Sequence, residues 1–285
     1  MSRFVHVRTG GLTWSVRDKR TADGLRRLLE NPEAFLTDPA NHLKNSRVTT
    51  VSRIVLPEAP ASGLSPHLVL KRLNYGKFRH RLRDAVRISR AVRALRTGVL
   101  LEAAGIATAR ALAAATVRRA GWPQRAYLVT EAVPGARTLL KVLAAPGTKL
   151  RPAAEVLAEL LARMHEAGFS NRDLNGSNIL FDATGRPWLI DLDGVRRCVP
   201  VSATRAAKDL ASLAGPLMAA PRATARLRLH FLKHYAACRG GGDWRNWWHL
   251  IAGELEKRGR KRRRQFRPGR SSRPENGADR SVHRP

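Results

Sequence analysis

Cysteine is nearly missing from this sequence, with only Cys198 and Cys238 among 285 residues. Neither sits in a CxxC pair or a Cys/His cluster, which excludes a disulfide framework and a thiolate zinc site and fits a reducing compartment. Acid is scarce as well: 22 Asp and Glu stand against 53 Lys and Arg, a formal net charge of +31. Long apolar runs are missing too. Val99 to Val117 is interrupted by Glu102 and Arg110, and Leu210 to Pro221 is short and holds Pro216, so neither is expected to span a bilayer. Met1 to Arg20 alternates apolar and charged residues and shows none of the continuous apolar region of a secretory signal. The expected location is cytoplasmic, at most peripheral on the inner face of a membrane.

What the chain does have is apolar content, 43%, which argues against disorder throughout and allows one large domain or two lobes around a cleft. The positive charge is concentrated in two places. Between Lys71 and Arg96 ten Lys/Arg face the single Asp84, and Leu82, Ala85, Val86, Ser89, Val92 and Leu95 fall near helical spacing, predicting a basic amphipathic helix. From Lys257 to Pro285 twelve Lys/Arg face Glu275 and Asp279. This second run is rich in Pro, Gly and Ser and reads as a disordered tail. No nucleic-acid-binding motif accompanies it, so a specific nucleic-acid partner is not expected.

Along the chain, Phe4 to Val16 predicts a hairpin about Gly10-Gly11, and Ala22 to Leu29 a helix stopped by Asn31-Pro32. Strands are predicted from His42 to Leu56, turning at Asn45-Ser46-Arg47, and from His67 to Leu73. Two more, Ala109 to Arg118 and Arg125 to Glu131, flank a turn at Gly121-Trp122-Pro123. The link Val133-Pro134-Gly135 follows. Beyond it, Val156, Leu157, Leu160, Leu161 and Met164 line one helical face, and helices dominate. Strands followed by helices predict a two-lobed α+β plan, divided as 1–131, 132–256 and the tail 257–285, with a ligand cleft at the link.

The chemistry is concentrated between Phe169 and Gly194. Asp173 precedes Asn178 by five residues, and Ile179-Leu180-Phe181 and Trp188-Leu189-Ile190 read as a hairpin turned by Gly185. Such a hairpin sets Asn178 beside Asp191 at its open end. A carboxylate and an amide oxygen suit Mg²⁺, and a second carboxylate can accept the proton of an attacking hydroxyl. Phosphoryl transfer needs this kind of positioning and charge neutralisation more than covalent chemistry.

The segment Asn171-Arg-Asp-Leu-Asn-Gly-Ser-Asn178 resembles the kinase catalytic loop H-R-D-L-x-x-x-N, and Asp191-Leu-Asp193 stands where that superfamily has D-F-G. Leu68-Val-Leu-Lys71 is similar to the strand motif V-A-I-K. Further pieces resemble the lipopolysaccharide kinases of the Kdo/heptose kinase family: Ser46-Arg-Val-Thr-Thr-Val51, Lys71-Arg-Leu-Asn-Tyr75, Ser89-Arg-Ala-Val-Arg-Ala94, Gly105-Ile-Ala-Thr-Ala109 and Leu128-Val-Thr-Glu131. The resemblance implies a bilobal protein-kinase-like fold with a β-rich N-lobe and a mainly helical C-lobe. It implies an enzyme using ATP and Mg²⁺ to phosphorylate a sugar hydroxyl of the lipopolysaccharide core or another anionic glycolipid.

On that resemblance Asp173 is the base, Asn178 and Asp191 hold the metal, and Lys71 pairs the α/β-phosphates. Ser46, Thr49 and Thr50 stand in for a glycine-rich phosphate loop, and Glu131 meets adenine through its backbone. Asp193, in place of the usual Gly, is a candidate for a second ion or the acceptor. The helix glutamate expected near Ala94 is missing, leaving Glu102 as the only acid in that helix. His165 reads as structural, and Trp244, Trp247 and Trp248 as core or groove lining. Two alternatives stay open: a small-molecule or protein kinase of the same fold, and a catalytically degenerate basic nucleic-acid-binding or scaffold protein.

Overall fold

A computed structural model describes residues 4–75 and 88–265. Its first part is a seven-stranded antiparallel sheet in the order β1-β2-β6-β7-β5-β4-β3. The strands are β1 (Val5–Thr9), β2 (Leu12–Val16), β3 (His42–Asn45), β4 (Thr49–Val55), β5 (His67–Asn74), β6 (Ala111–Arg119) and β7 (Trp122–Glu131). Gly10 and Gly11 turn the first hairpin at φ 57° and 72°, the left-handed pair that matches a two-residue turn to the twist of its strands. The β6–β7 turn departs from expectation. It lies at Ala120-Gly121, again both at positive φ, while Trp122 and Pro123 belong to β7. Pro123 is tolerated there because it pairs with Arg118 at a register shift, where the ladder is already interrupted.

The predicted helix Ala22 to Leu29 is split into α1 (Lys19–Gly24) and α2 (Arg26–Glu30). Gly24 explains the break. A Cβ on it would stand 2.6 Å from Ser62 Cβ, so the close approach fixes a residue that weakens the helix. Asn31 then caps a 3-10 turn, Pro32–Leu36, by accepting from the Ala34 N–H. These pieces cover one face of the sheet, where Trp14, Leu25, Leu28, Leu68 and Leu70 are fully buried. Each such leucine contributes about 1.5–3 kcal/mol relative to leaving it in water.

The opposite face is covered by α3 (Arg90–Ala103), whose Ala91, Ala94, Leu95 and Leu101 pack with Leu73, Ala114 and Leu128. Ser89 caps α3, accepting from the Val92 N–H. Gly105 at φ 70° ends it, with Ile106 N–H donating to Leu101 O and Gly105 N–H to Glu102 O, the glycine-terminated pattern that satisfies the last carbonyls. Of the expected amphipathic helix, Ser89 is thus the cap and Val92 and Leu95 are helical, while Leu82, Ala85 and Val86 lie outside the described residues.

Beyond the link come β8 (Arg137–Thr138), α4 (Leu139–Ala144), α5 (Leu150–Glu166), β9 (Phe169–Asn171), β10 (Ile179–Phe181), β11 (Pro187–Leu189) and β12 (Val195–Arg197). The helices α6 (Ala203–Leu217), α7 (Ala225–Cys238) and α8 (Trp244–Gln265) complete the second lobe. Its core is continuous with the α3 side of the sheet. The expectation of a tail from Lys257 is corrected for its first nine residues, which continue α8 through Gln265. The reason is tertiary. Arg258 donates to Lys208 O at 3.0 Å and to Ser212 Oγ at 3.2 Å, docking a basic turn that has no apolar period of its own. Among the described residues no helix is long and apolar enough to cross a membrane.

Candidate active site

Lys71 reaches the cleft because strand alternation turns Leu68 and Leu70 into the core on one face and Val69 and Lys71 to the other. Its Nζ lies 2.7 Å from Asp191 Oδ1. Asp191 stands at the end of the β10–β11 hairpin in a left-handed conformation, φ 57° and ψ 68°, just before the 3-10 turn Leu192–Gly194. A non-glycine residue held there is uncommon, and the conformation aims the carboxylate at Lys71 rather than along the strand. The Ile190 N–H donates to Asn178 O at 2.9 Å, so the backbone of Asn178 is bonded to the residue next to Asp191.

Asn178 Nδ2 donates to the Asp173 carbonyl at 3.1 Å. That bond orients the amide, whose oxygen lies 3.5 Å from the Ser177 hydroxyl. The Asp173 N–H donates to Asn171 Oδ1 at 3.1 Å, so Asn171 braces the loop where the kinase motif has histidine. The loop is also anchored from below. Asp209, in α6, accepts from the Asn171 N–H at 2.7 Å and lies 3.3 Å from His165 Nε2, while His165 Nδ1 is 2.7 Å from the Tyr235 hydroxyl. Burial pushes the His165 ring below its usual pKa, against the opposing pull of Asp209, which favours the neutral ring. His165 is therefore a support for the loop, as expected, and touches no reacting group.

Two site residues escaped the sequence reading. Asp209 carried one signal, an acid on the apolar face that also holds Ala206, Leu210 and Leu213. Gly194 carried none, since its role is a close approach to the Asp173 loop. Asp193 is mostly buried and pairs with Arg90 Nη2 at 3.2 Å. Burial raises its pKa most. Lys71, Arg90 and Arg93 pull it down and Asp191 pushes it up, and the balance stays above the ordinary carboxylate value.

The expected phosphate loop is a tight turn. Ser46 and Thr49 are bonded to each other through backbone and hydroxyl, with Ser46 Oγ donating to Thr49 O at 3.0 Å and accepting from the Thr49 N–H at 3.1 Å. Thr50 is not brought to the site. It pairs across the ladder with Arg72, not Lys71, so it faces the other side of the sheet, and its hydroxyl bonds Asn45 and Arg72. There Arg72, Arg125 and Tyr127 all donate to Glu33. Burial raises the Glu33 pKa, but these partners outweigh it and hold the carboxylate below its usual range, while burial and Glu33 together push Tyr127 up to about 12. Glu131 braces the link: its N–H donates to Arg110 O, and its carboxylate accepts from the Ser65 N–H and Arg110. Glu102 pairs with Arg17 at 2.5 Å and makes no pair with Lys71.

Beside the catalytic loop, where Leu217 packs near Gly176, the helical lobe holds a half-open apolar cavity of about 160 Å³, lined by residues such as Leu139, Leu157, Leu217, Phe231, Trp248 and Ile251. Trp247 is buried in the core against Tyr235 and Trp248, half exposed, lines this cavity, so the two divide the core and lining roles expected of them.

The sequence model described as "Lipopolysaccharide kinase (Kdo/WaaP) family" matches residues 64–235. A "3-deoxy-D-manno-octulosonic acid kinase" of Stenotrophomonas maltophilia is 41% identical over 95 residues, covering 32% of this chain and 36% of the relative. Its namesake in Vibrio parahaemolyticus is 35% identical over 98 residues, covering 33% of this chain and 39% of the relative. The matched stretch thus spans little more than a third of those relatives. The solved structure "WaaP in complex with acyl carrier protein" is similar with a TM-score of 0.56 at 21% identity, over 85% of this chain and 97% of that one. The fold is α+β and bilobal, protein-kinase-like, with the β-rich lobe first.

Proposed function

The chain belongs to the lipopolysaccharide kinase (Kdo/WaaP) family, and from that premise we propose that it transfers the γ-phosphoryl group of ATP to a sugar hydroxyl of the lipopolysaccharide inner core. One observation carries the reading. Lys71 and Asp191, 120 residues apart, meet at 2.7 Å, and Asp191 is joined through the Ile190–Asn178 backbone bond to the loop that carries Asp173. A structural hairpin needs no cation reaching it from the opposite lobe.

In this proposal Asp173 accepts or orients the acceptor hydroxyl proton, and Lys71 contacts the nucleotide phosphates. The oxygens of Asn178 and Asp191 fit Mg²⁺, a hard cation usually held by one or two protein oxygens together with phosphate and water. Among the described residues no three His, Cys, Asp or Glu converge as a cage, so such an ion would share its shell with the nucleotide. When bound, it neutralises charge on the transferring phosphoryl group. The Ser46–Thr49 turn closes the phosphate end, and the Glu131 link lies at the adenine end.

The acceptor assignment rests on family membership, on the net charge of +31, which favours an anionic glycolipid, and on the apolar cavity beside the loop. A peripheral position on the cytoplasmic face of an anionic membrane follows from the same charge, each nearby Lys or Arg being worth about 1 kcal/mol. The test is transfer from γ-labelled ATP with Mg²⁺ to purified core oligosaccharide, with a peptide mixture in parallel. Label in the sugar fraction is expected; label in peptides and none in oligosaccharide would overturn the acceptor.

A further inference from the structure

Helix α3 grips the Asp191 turn at two places. Leu192 packs against Gly98, where a Cβ would stand 3.5 Å from Leu192 Cδ1. Arg90, the first residue of the helix, pairs with Asp193 at 3.2 Å. The start of the helix is itself fixed, since the capping residue Ser89 accepts at Oγ from Thr116 Oγ1 at 2.6 Å. Arg90 is poorly placed for the helix alone, because a cation in the first turn opposes the helix dipole. Asp193, a mostly buried carboxylate, needs cationic partners, and Arg90 is the one that pairs with it directly, at 3.2 Å.

The single acid of α3, Glu102, is committed to Arg17 near the far end of the helix. No carboxylate of α3 pairs with Lys71, whose partner is Asp191. We propose that Arg90 is a positioning residue: through Asp193 it sets the turn that aims Asp191 at Lys71, so α3 is coupled to the nucleotide site by a charge-reversed link. This rests on the kinase reading above. It also removes Asp193 from the candidates for a second ion or the acceptor, since its carboxylate is already occupied by the helix.

Asp193 is faced by Lys71 from β5, by Asp191 from its own turn and by Arg90 and Arg93 from α3.

The experiment is a double-mutant cycle of Arg90→Met and Asp193→Asn, read as the dissociation constant for Mg-ATP and as kcat and KM for ATP with core oligosaccharide. Each single change is expected to weaken Mg-ATP binding about fivefold or more, with the double variant no worse than the poorer single one. Arg90→Lys should recover most of the loss in Mg-ATP affinity. Should Arg90→Met fail to fold, Arg90→Gln carries the same comparison. Wild-type affinity in the Arg90 variant, or losses that multiply independently, would overturn the link alone. Wild-type protein that fails to bind Mg-ATP would overturn the kinase reading and the link with it.

Discussion

Gly194 lies flat against Asp173: a Cβ placed on it would stand 2.7 Å from Asp173 Cβ, 2.8 Å from Asp173 Oδ2 and 2.6 Å from Asn171 Oδ1. No side chain fits in that gap without moving the loop that carries the proposed base. Gly194→Ala should therefore cost about 1–3 kcal/mol of stability, the usual penalty of overpacking. Activity should suffer more, by roughly tenfold or beyond, because displacing a reacting group by about 1 Å is enough. Urea unfolding and steady-state kinetics on the same preparation check both; unchanged kcat would show that the loop position is not critical.

The two carboxylates should fail in different ways. Asp173→Asn keeps the loop hydrogen bonds, which use backbone atoms of Asp173, and removes the group that would take the hydroxyl proton together with its exposed 3.5 Å pair to Arg172. It is expected to lower kcat by about 10²–10⁴ with near-normal Mg-ATP affinity. Asp191→Asn removes the carboxylate proposed to hold the metal and its ion pair with Lys71, so Mg-ATP binding itself should weaken. Calorimetric titration beside turnover separates the two. Equal loss of affinity in both variants would contradict the division of roles.

How much of this could be read from the chain alone depended on whether the cause was local. The spacing of Asp173, Asn178 and Asp191 is local, and the hairpin it predicts is present, with Ile179 paired to Leu189 and Asn178 bonded to Asp173 O. The strand at Lys71 is equally legible from alternation. Thr50 was misplaced because a one-residue step along β4 flips a side chain to the other face, and the motif around it gave no register. The basic turn after Lys257 is helical because of Arg258 contacts to α6, which lie some fifty residues away in sequence. Gly194 and Arg90 act across a fold that no window of residues displays.

The Glu33 cluster offers a control for the assigned faces of the sheet. Its carboxylate accepts from Arg72, Tyr127 and Arg125 on the side away from Lys71, tying the segment after α2 onto the sheet. Glu33→Gln should lower stability by about 1–2 kcal/mol, modest because the group is partly exposed, and leave the KM for ATP unchanged. Urea midpoints and ATP titrations provide the measurement. A raised KM would mean that this face, with Thr50, communicates with the nucleotide after all.

His165 gives the molecule a predictable response to acid. In the fold its pKa is lowered by burial, whereas in the unfolded chain the ring titrates near its ordinary value of about 6.5. The unfolded state thus binds the extra proton first, and the stability present above that value is lost as pH falls toward the folded pKa. One unit below the unfolded value the loss reaches up to about 1.4 kcal/mol. In His165→Gln this component is gone, so the advantage of the wild type over the variant should shrink between pH 7.5 and pH 5.5. Urea unfolding at both values measures it; an advantage that grows on acidification would mean that the ring is already protonated among Tyr235 and Asp209, and one that stays constant would mean that folding leaves its pKa unchanged.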